Sequence, residues 1–311
     1  MDFISLIRFV ATLLITNSHF GDLYPSGYSH LATGGMIGSS LFFFCSGYSL
    51  FLSYEKTTMS GYQWLLKRFL RIYPSIWMFR ILSWLILRED FSWINIIVPG
   101  YLFLNVLIIF YIVFYFIIRY CSKYLMTIMI LLVIPFATTF FLQSDRYPDF
   151  IIEDTSNSYH LHYFYLFAIM LSGAILAKRN IKINSNKNDL LKLFTSIGLY
   201  YGYKWILIQY ELWIFQLLLP LLLIIIIYYF YKTSNYIIGK KFFCRKSVQS
   251  FIFYISTLTL DIYIVQFVCI RYAKNFPFPI GYLGAIGLIA LLAILINYLS
   301  KQIVKVFYSK L

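Results

Sequence analysis

The sequence predicts an all-α protein, a polytopic bundle of about ten transmembrane helices with both termini in the cytoplasm. Of its 311 residues, 61% are hydrophobic and only 12% are charged, whereas about 25% of the residues of a soluble domain are charged. Apolar runs long enough to cross a bilayer recur along the whole chain. Basic residues are concentrated in alternate loops, which is typical of multi-pass proteins of a bacterial inner membrane.

Each predicted span is an apolar run close to the roughly 20 residues that a transmembrane helix needs. The spans lie near residues 3–20, 32–53, 72–87, 94–118, 124–142, 161–177, 193–209, 212–231, 251–271 and 282–300. The longest polar stretches between them, 143–160 and 178–192, are too short to form a hydrophobic core of their own. We therefore interpret residues 1–311 as a single transmembrane domain.

The distribution of charge predicts the orientation of these spans. If the amino terminus is cytoplasmic, the cytoplasmic side receives most of the basic residues: Lys56, Lys67, Arg68, Arg71, Arg119, Lys123, the runs 178–192 and 232–246, Lys301, Lys305 and Lys310. The predicted outer side receives few basic residues and most of the acids: Asp22, Glu89, Asp90, Asp145, Asp149, Glu153, Asp154 and Glu211. This positive-inside pattern accounts for the net charge of +14, so we expect a lipid bilayer and not a nucleic acid as the partner.

The four cysteines predict neither disulfides nor a metal site. Cys45 and Cys269 fall within predicted spans, and Cys121 and Cys244 fall in predicted cytoplasmic loops, where disulfides are rare. No spacing of Cys and His residues is that of a zinc site. We therefore expect no metal.

The first predicted span contains two ionisable residues, Arg8 and His19, in otherwise apolar sequence. An α-helix turns about 100° and rises about 1.5 Å per residue, so both side chains project from one face, roughly 20° and about 16 Å apart. Thr12 and Ile15 lie between them on that face. Because lipid would penalise a cation and an imidazole, we predict that this face points into the protein and begins an active site. The alternative is that Arg8 snorkels to the membrane surface and His19 is interfacial.

A basic cluster precedes Pro74 in the segment YQWLLKRFLRIYP at 62–74. Arg68 and Arg71 are three residues apart, so they are neighbours on a helix surface, and Lys67 is adjacent. Two guanidiniums at this spacing can grip a phosphate bidentately, which predicts an anion site. The alternative is ordinary positive-inside anchoring. Pro74 predicts a kink or the start of a helix.

Two further features of the predicted spans are polar or small. The second span contains Gly34, Gly35, Gly38 and Gly47, which let helices approach closely or let an acyl chain pass. Asp261 falls near the middle of the ninth span and should have a partner, with Arg8 or Arg80 as candidates. A structural bond between helices is the alternative role for this carboxyl.

Taken together, these residues resemble the acyltransferase-3 family, the bacterial membrane O-acyltransferases of surface polysaccharides and lipids. Arg8 and His19 match its first-helix pattern of Arg, ten residues and His. GSSLFFFCSGYSL at 38–50, with Ser46, Gly47 and Tyr48, is similar to its glycine, aromatic-run and Ser-Gly-aromatic motif. KRFLRIYP at 67–74 is similar to its Arg-x-x-Arg-x-x-Pro motif.

The chain departs from the family pattern late in the sequence. A segment similar to LDIYIVQ often ends in His in the family, but here that position is Gln266. If this His helps catalysis in other members, it cannot do so here. Many members also have a soluble carboxy-terminal esterase-like domain, which we do not find in this sequence.

The resemblance implies transfer of an acyl group, usually acetyl, from cytoplasmic acetyl-CoA to a sugar hydroxyl of a surface polysaccharide, such as O-antigen or capsule, or of its lipid-linked precursor. Arg68 and Arg71, with Lys67, would hold the phosphates of CoA. His19 would take the hydroxyl proton or form an acyl-His relay, and Arg8 would orient a neighbour or stabilise developing charge. Ser46, Tyr48 and Asp261 would support the site.

A transporter or flippase of polysaccharide intermediates is the alternative function. It would share the basic cytoplasmic loops, the aromatic residues and the polar residues within the membrane. Against it, the sequence shows no paired broken helices in matching halves.

We predict that both termini are cytoplasmic and that the acidic loop 143–160 is outside. In a variant without the native cysteines, Asp149→Cys should react with an impermeant thiol reagent in intact spheroplasts, and Lys187→Cys should not. The reverse labelling pattern would overturn this topology.

Overall fold

A computed structural model describes residues 2–56, 60–87, 94, 98, 101–142, 159–180, 185–240 and 243–308. Within these residues all regular structure is helical, which confirms the predicted all-α class. The α-helices are α1 (Phe3–Ser18), α2 (Gly35–Glu55), α3 (Gly61–Leu87), α4 (Leu102–Tyr120), α5 (Leu125–Leu131), α6 (Val133–Leu142), α7 (Tyr159–Arg179), α8 (Lys187–Gln209), α9 (Leu219–Ile238), α10 (Lys246–Thr257), α11 (Thr259–Ala273) and α12 (Ile280–Tyr308). Short 3-10 helices lie at Gly21–Leu23, Ser29–Leu31, Ser122–Tyr124 and Trp213–Leu218.

Several of these helices are long and apolar enough to cross a membrane. In the described part of the chain there are five: Ser29–Glu55, Phe103–Tyr120, Ser122–Leu142, Trp213–Ile238 and Ile280–Phe307. The bent pair α10 and α11 makes a sixth if it is one span. Many large apolar side chains of these helices are exposed, as lipid contact requires. The protein is therefore a multi-pass membrane protein, whereas the count of ten spans and the location of the termini stay predictions.

The chain forms two compact units, each assembled from separate stretches of sequence. Unit 1 comprises Met1–Ala11, Gly35–Thr57 and Tyr120–Phe253, and unit 2 comprises Thr12–Gly34, Thr58–Arg119 and Tyr254–Leu311. In unit 1, α7 packs against α2, α5 and α6, while α9 packs against α2 and α8. In unit 2, α3, α11 and α12 pack against one another.

A close helix contact in unit 1 joins the backbones of α2 and α7. A Cβ atom at Gly47 of α2 would collide with the carbonyl oxygen of Met170 in α7. In the same way, a Cβ atom at Gly173 of α7 would collide with the carbonyl oxygen of Phe44 in α2. Of the two roles predicted for small residues in this span, close helix packing is therefore the one that Gly47 has.

Unit 1 also contains a buried ion pair that the sequence analysis did not predict. The ammonium of Lys232 in α9 lies 2.9 Å from a carboxylate oxygen of Asp189, which is fully buried in the first turn of α8. Asp189 also forms a capping box with Asn186, whose backbone N–H donates to the carboxylate over 2.8 Å. The pair joins α8 to α9. Because a buried carboxylate without a nearby cation is unfavourable, Asp189 favours the packing that brings Lys232 beside it.

In unit 2 the second half of α1 runs parallel to α11. The hydroxyl of Thr12 donates to the hydroxyl oxygen of Thr259 over 2.9 Å. Farther along both segments, the ring of His19 lies edge-on against the ring of Phe267, with centroids 4.8 Å apart. Both residues of the second contact lie farther toward the carboxyl terminus than those of the first, so the two segments are parallel. The predicted topology likewise has its first and ninth spans parallel.

Two predicted elements differ from the structure. Helix α3 continues through Pro74 from Gly61, so a helix start at Pro74 is wrong, and Lys67, Arg68 and Arg71 lie within the same helix. The predicted span 251–271 is instead two helices bent by 68° around Leu258.

The break at Leu258 has a local physical cause in the polar side chains around it. The hydroxyl of Thr257 donates to the carbonyl oxygen of Tyr254 over 2.7 Å, and that of Thr259 donates to the carbonyl oxygen of Ser256 over 3.0 Å. Such side-chain bonds compete with the helical hydrogen bonds of the backbone. As a result, Asp261 lies in the first turn of α11 and not in the middle of an unbroken helix.

The α2–α7 contact predicts that Gly47→Ala destabilises the protein by about 1–3 kcal/mol, the usual effect of overpacking a tight contact. The matched control is Gly198→Ala in α8, where a Cβ atom would meet open space. This control should keep or raise stability, by up to about 1 kcal/mol, because alanine favours the helix. Thermal unfolding of the two purified variants in detergent measures the difference, and equal melting temperatures would contradict the contact.

Candidate functional site

Arg8 points toward α2 within unit 1. Its side chain is half-buried, and a guanidinium nitrogen donates to the hydroxyl oxygen of Ser49 over 2.8 Å. Near the start of the same helix, the carboxylate of Asp2 accepts from the backbone N–H of Ser5 over 2.9 Å, as a helix-capping residue does. The sequence analysis missed Ser49, although it directly follows Tyr48 in the Ser-Gly-aromatic motif. The contact favours the inward-facing prediction for Arg8 over snorkelling to the membrane surface.

The two motif residues predicted to support the site lie on either side of Gly47. Ser46 is buried. Tyr48 is half-buried and packs edge-on against Phe3, with ring centroids 5.1 Å apart. Phe3 in turn packs on Tyr231 at 4.8 Å. These contacts give Tyr48 a packing role in unit 1.

His19 belongs to unit 2 and lies in the turn that directly follows α1. Its backbone N–H donates to the carbonyl oxygen of Thr16, and its side chain is exposed, with its ring edge-on against Phe267. The following loop is tied back to α1, because the amide of Asn17 donates to the carbonyl oxygens of Leu31 and Thr33. These bonds hold the loop against the last turn of α1, next to His19.

The same loop contains a tyrosine that stays neutral over the physiological pH range. Burial, together with a hydrogen bond to Tyr282, raises the pKa of Tyr24 to about 12. Its hydroxyl donates to the side-chain oxygen of Asn17 over 2.7 Å. This bond orients Asn17 so that its amide faces the loop carbonyls.

Aromatic rings continue from His19 into the interior of unit 2. Phe267 stacks on Tyr101 with centroids 5.6 Å apart, and it meets Tyr263 edge-on at 5.7 Å. The hydroxyl of Tyr101 donates to the carbonyl oxygen of Ile264 over 3.0 Å. The guanidinium of Arg80 lies 5.8 Å from the centroid of the Tyr101 ring. The sequence contains no spacing signal for this cluster, because its members come from distant segments.

The predicted anion site is on α3, also in unit 2. Lys67 and Arg68 are half-buried, while Arg71 is exposed. The guanidinium of Arg68 lies 4.7 Å from the centroid of the Trp64 ring, one turn earlier. Cation–π contacts of this kind hold a guanidinium in place while keeping its charge.

The arginine cluster has a second aromatic contact that sequence analysis missed. Trp64 packs against Tyr115 of α4 with ring centroids 5.4 Å apart. Tyr115 accepts a hydrogen bond of 2.5 Å from the guanidinium of Arg119. A Cβ atom at Gly61 would collide with the hydroxyl of Tyr115, so the approach of α3 to α4 depends on this glycine. Arg68 and Arg119 are thus both positioned by one Trp–Tyr pair.

Asp261 pairs with Asn297 and not with Arg80, one of its two predicted partners. Its carboxylate accepts a hydrogen bond of 2.7 Å from the amide of Asn297 in α12. Ser75 lies beside the carboxylate, and the charges of Lys301 and Arg71 act on it. Arg80 instead lies over Tyr101, and Arg8 bonds Ser49, as described above. The contact with Asn297 gives Asp261 a structural bond between helices, which was the alternative prediction.

The described residues contain no group of three or more His, Cys, Asp or Glu side chains that could hold a metal ion. The protein groups described above include an exposed imidazole directly after α1 and guanidiniums on α3 and α4. An imidazole suits proton transfer near neutral pH, and guanidiniums suit phosphate binding.

Comparison with known proteins identifies the family. The family model described as an acyltransferase domain, that of the acyltransferase-3 family, matches residues 1–300. Searches of curated proteins and of solved structures each returned no match. The family match covers Arg8, His19 and the arginines of α3. Since it spans nearly the whole chain, this membrane protein belongs to the acyltransferase-3 family and is a membrane acyltransferase.

Proposed function

We propose that this acyltransferase moves acetyl from cytoplasmic acetyl-CoA to a hydroxyl of a cell-surface polysaccharide, such as O-antigen or capsule, or of its lipid-linked precursor. The enzyme would work in a bacterial inner membrane. The position of His19 supports this proposal most directly, because its exposed imidazole lies directly after an apolar helix and packs on Phe267. The same compact unit contains the basic cluster of α3.

In this proposal His19 is the general base. Its imidazole takes the proton of the acceptor hydroxyl while the hydroxyl oxygen forms a bond to the acyl carbon and the thioester C–S bond breaks. The imidazolium then gives the proton to the departing CoA thiolate, so the products are an acetyl ester and CoA. In an acyl-His relay, the imidazole would first accept the acetyl group and then pass it to the hydroxyl.

The arginines of α3 would bind the donor through its phosphates. Arg68 and Arg71, with Lys67 beside them, provide charge-assisted donors on consecutive turns of one helix. The cation–π contact with Trp64 lowers the conformational freedom that Arg68 loses on binding. Arg8, bonded to Ser49, would position a neighbouring group or stabilise developing charge. Ser46, Tyr48 and Asp261 would support the site through packing and interhelical bonds.

A transporter or flippase function receives no support from the family match. Transporters of the inverted-repeat type have a broken helix in each of two corresponding halves. The break at Leu258 by itself is not such a pair, so it does not favour a transporter. The acyltransferase reading is the one that both the family and the residues favour.

The test of this function is transfer of labelled acetyl from acetyl-CoA to a membrane glycan fraction by the purified protein in lipid. We expect His19→Gln to lower this transfer about 10²–10⁴-fold, since it keeps much of the size and hydrogen bonding but removes the basicity. Wild-type and variant proteins should insert and melt alike.

The matched control for His19 is His30→Gln, an exposed histidine in the loop after α1. Its transfer rate should equal that of the wild type. If His19→Gln retained most of the activity, His19 would be structural and the mechanism would be wrong.

The donor site is tested by Arg68→Ala and Arg71→Ala. Loss of a charge-assisted phosphate contact should weaken binding by about 1.5–3 kcal/mol, roughly ten- to a hundredfold, chiefly in the KM for acetyl-CoA. Arg179→Ala at the end of α7 removes an exposed charge from the same predicted side and should leave the KM unchanged. An unchanged KM in both α3 variants would reduce these arginines to topology anchors.

A further inference from the structure

Gln266 is a buried polar residue whose side chain the structure leaves unexplained. It is 0% exposed in α11. Neither its amide nitrogen Nε2 nor its oxygen Oε1 has a hydrogen-bond partner among the described residues. A buried amide without a partner is unfavourable, because its NH₂ group and its oxygen both lose their hydrogen bonds to water. Native structures contain few such cases. A ligand that supplies the missing partner would explain why the residue is tolerated.

The packing of α1 on α11 places Gln266 at the level of His19. Gln266 follows Thr259 by seven residues, which is two helical turns and returns it to the same face of α11 within about 20°. His19 likewise follows Thr12 by seven residues. Because Thr12 bonds Thr259 and the two segments run parallel, His19, in the turn directly after α1, lies near the level of Gln266.

A second contact confirms this level independently. The imidazole of His19 packs on Phe267, the residue next to Gln266 in α11. The imidazole of His19 is exposed, whereas the carboxamide of Gln266 is buried. The buried amide that has no partner in the described structure is thus adjacent in sequence to the ring on which His19 packs.

We propose that the Gln266 carboxamide binds the carbonyl oxygen of the acyl group transferred at His19, an inference that rests on the proposed acyltransferase function. Nε2 donates a hydrogen bond to the thioester carbonyl. When the acceptor oxygen bonds to the acyl carbon, the C=O π electrons move to the carbonyl oxygen, and the same N–H stabilises the negative charge that develops there. When the C–S bond breaks, the carbonyl re-forms and the thiolate leaves. Gln266 thus contributes one donor of an oxyanion site.

This role predicts opposite effects on stability and on activity. Gln266→Met keeps the length of the side chain and removes both unpaired polar groups. In the ligand-free protein it should raise the melting temperature by a few degrees, because a buried amide without partners is destabilising. In the transfer assay it should lower kcat roughly 10²–10³-fold, the usual effect of removing one oxyanion donor. The KM for acetyl-CoA should change little, since the interaction strengthens only in the transition state.

The chain contains a matched control in Gln216, a second fully buried glutamine, which does have an interaction partner. Gln216→Met should lower the melting temperature, because it removes a side chain that is satisfied in the folded protein. The folded fraction of that variant should keep its transfer activity. Gln266→Leu provides a second apolar replacement, and it should reproduce both effects of Gln266→Met.

The experiment uses the full-length protein, purified in detergent for melting and reconstituted in lipid for transfer of labelled acetyl. A rise in melting temperature together with a loss of kcat supports the assignment. A fall in melting temperature for both Gln266 variants would show that the amide has a structural partner and would overturn it, as would wild-type kcat in either variant. If the wild-type protein transferred no acetyl, the proposed function itself would fail, which separates the two failures.

Discussion

Burying a polar side chain in an apolar interior is unfavourable unless another group completes its hydrogen bond, and this constraint governs the contact of α1 with α11 in unit 2. Thr12 donates to Thr259, which donates to the carbonyl oxygen of Ser256 next to the break at Leu258. One short chain of hydrogen bonds therefore satisfies both hydroxyls and a carbonyl at a helix break. Because it also ties α1 to α11, it sets the level at which His19 meets α11.

Unit 1 depends on a different constraint, the close approach of two backbones. Gly47 and Gly173 bring α2 and α7 together at a distance that no side chain permits. The neighbours of Gly47 in its motif, Ser46 and Tyr48, thereby become buried or half-buried. Arg8 of α1 donates a hydrogen bond to Ser49, which lies in α2 two residues after Gly47. The motif thus provides both the close helix contact and the hydrogen-bond partner of Arg8.

The basic residues of α3 illustrate how one pattern serves two purposes. Their location on the predicted cytoplasmic side follows the positive-inside rule, which concerns only net charge in a loop or helix end. The contact of Arg68 with Trp64, and of Trp64 with Tyr115, adds a fixed geometry that orientation in the membrane does not require. This additional order is what a binding site for phosphates would use.

The sequence alone predicted what depends on local pattern. Apolar runs predicted helices in a membrane, the three-residue spacing of Arg68 and Arg71 predicted neighbours on a helix, and the motifs predicted the family. These features follow from residue order, because helical periodicity and the unfavourable transfer of charge into lipid act on each segment separately.

Tertiary structure decided which distant residues meet, and the sequence contains no signal for that. It paired Asp261 with Asn297 instead of Arg80, and it buried Asp189 against Lys232. It also placed the unpartnered amide of Gln266 at the level of His19. The reason is physical, because a side chain's partner depends on which helices pack together and in what register, and this is set by the whole chain and not by any one segment.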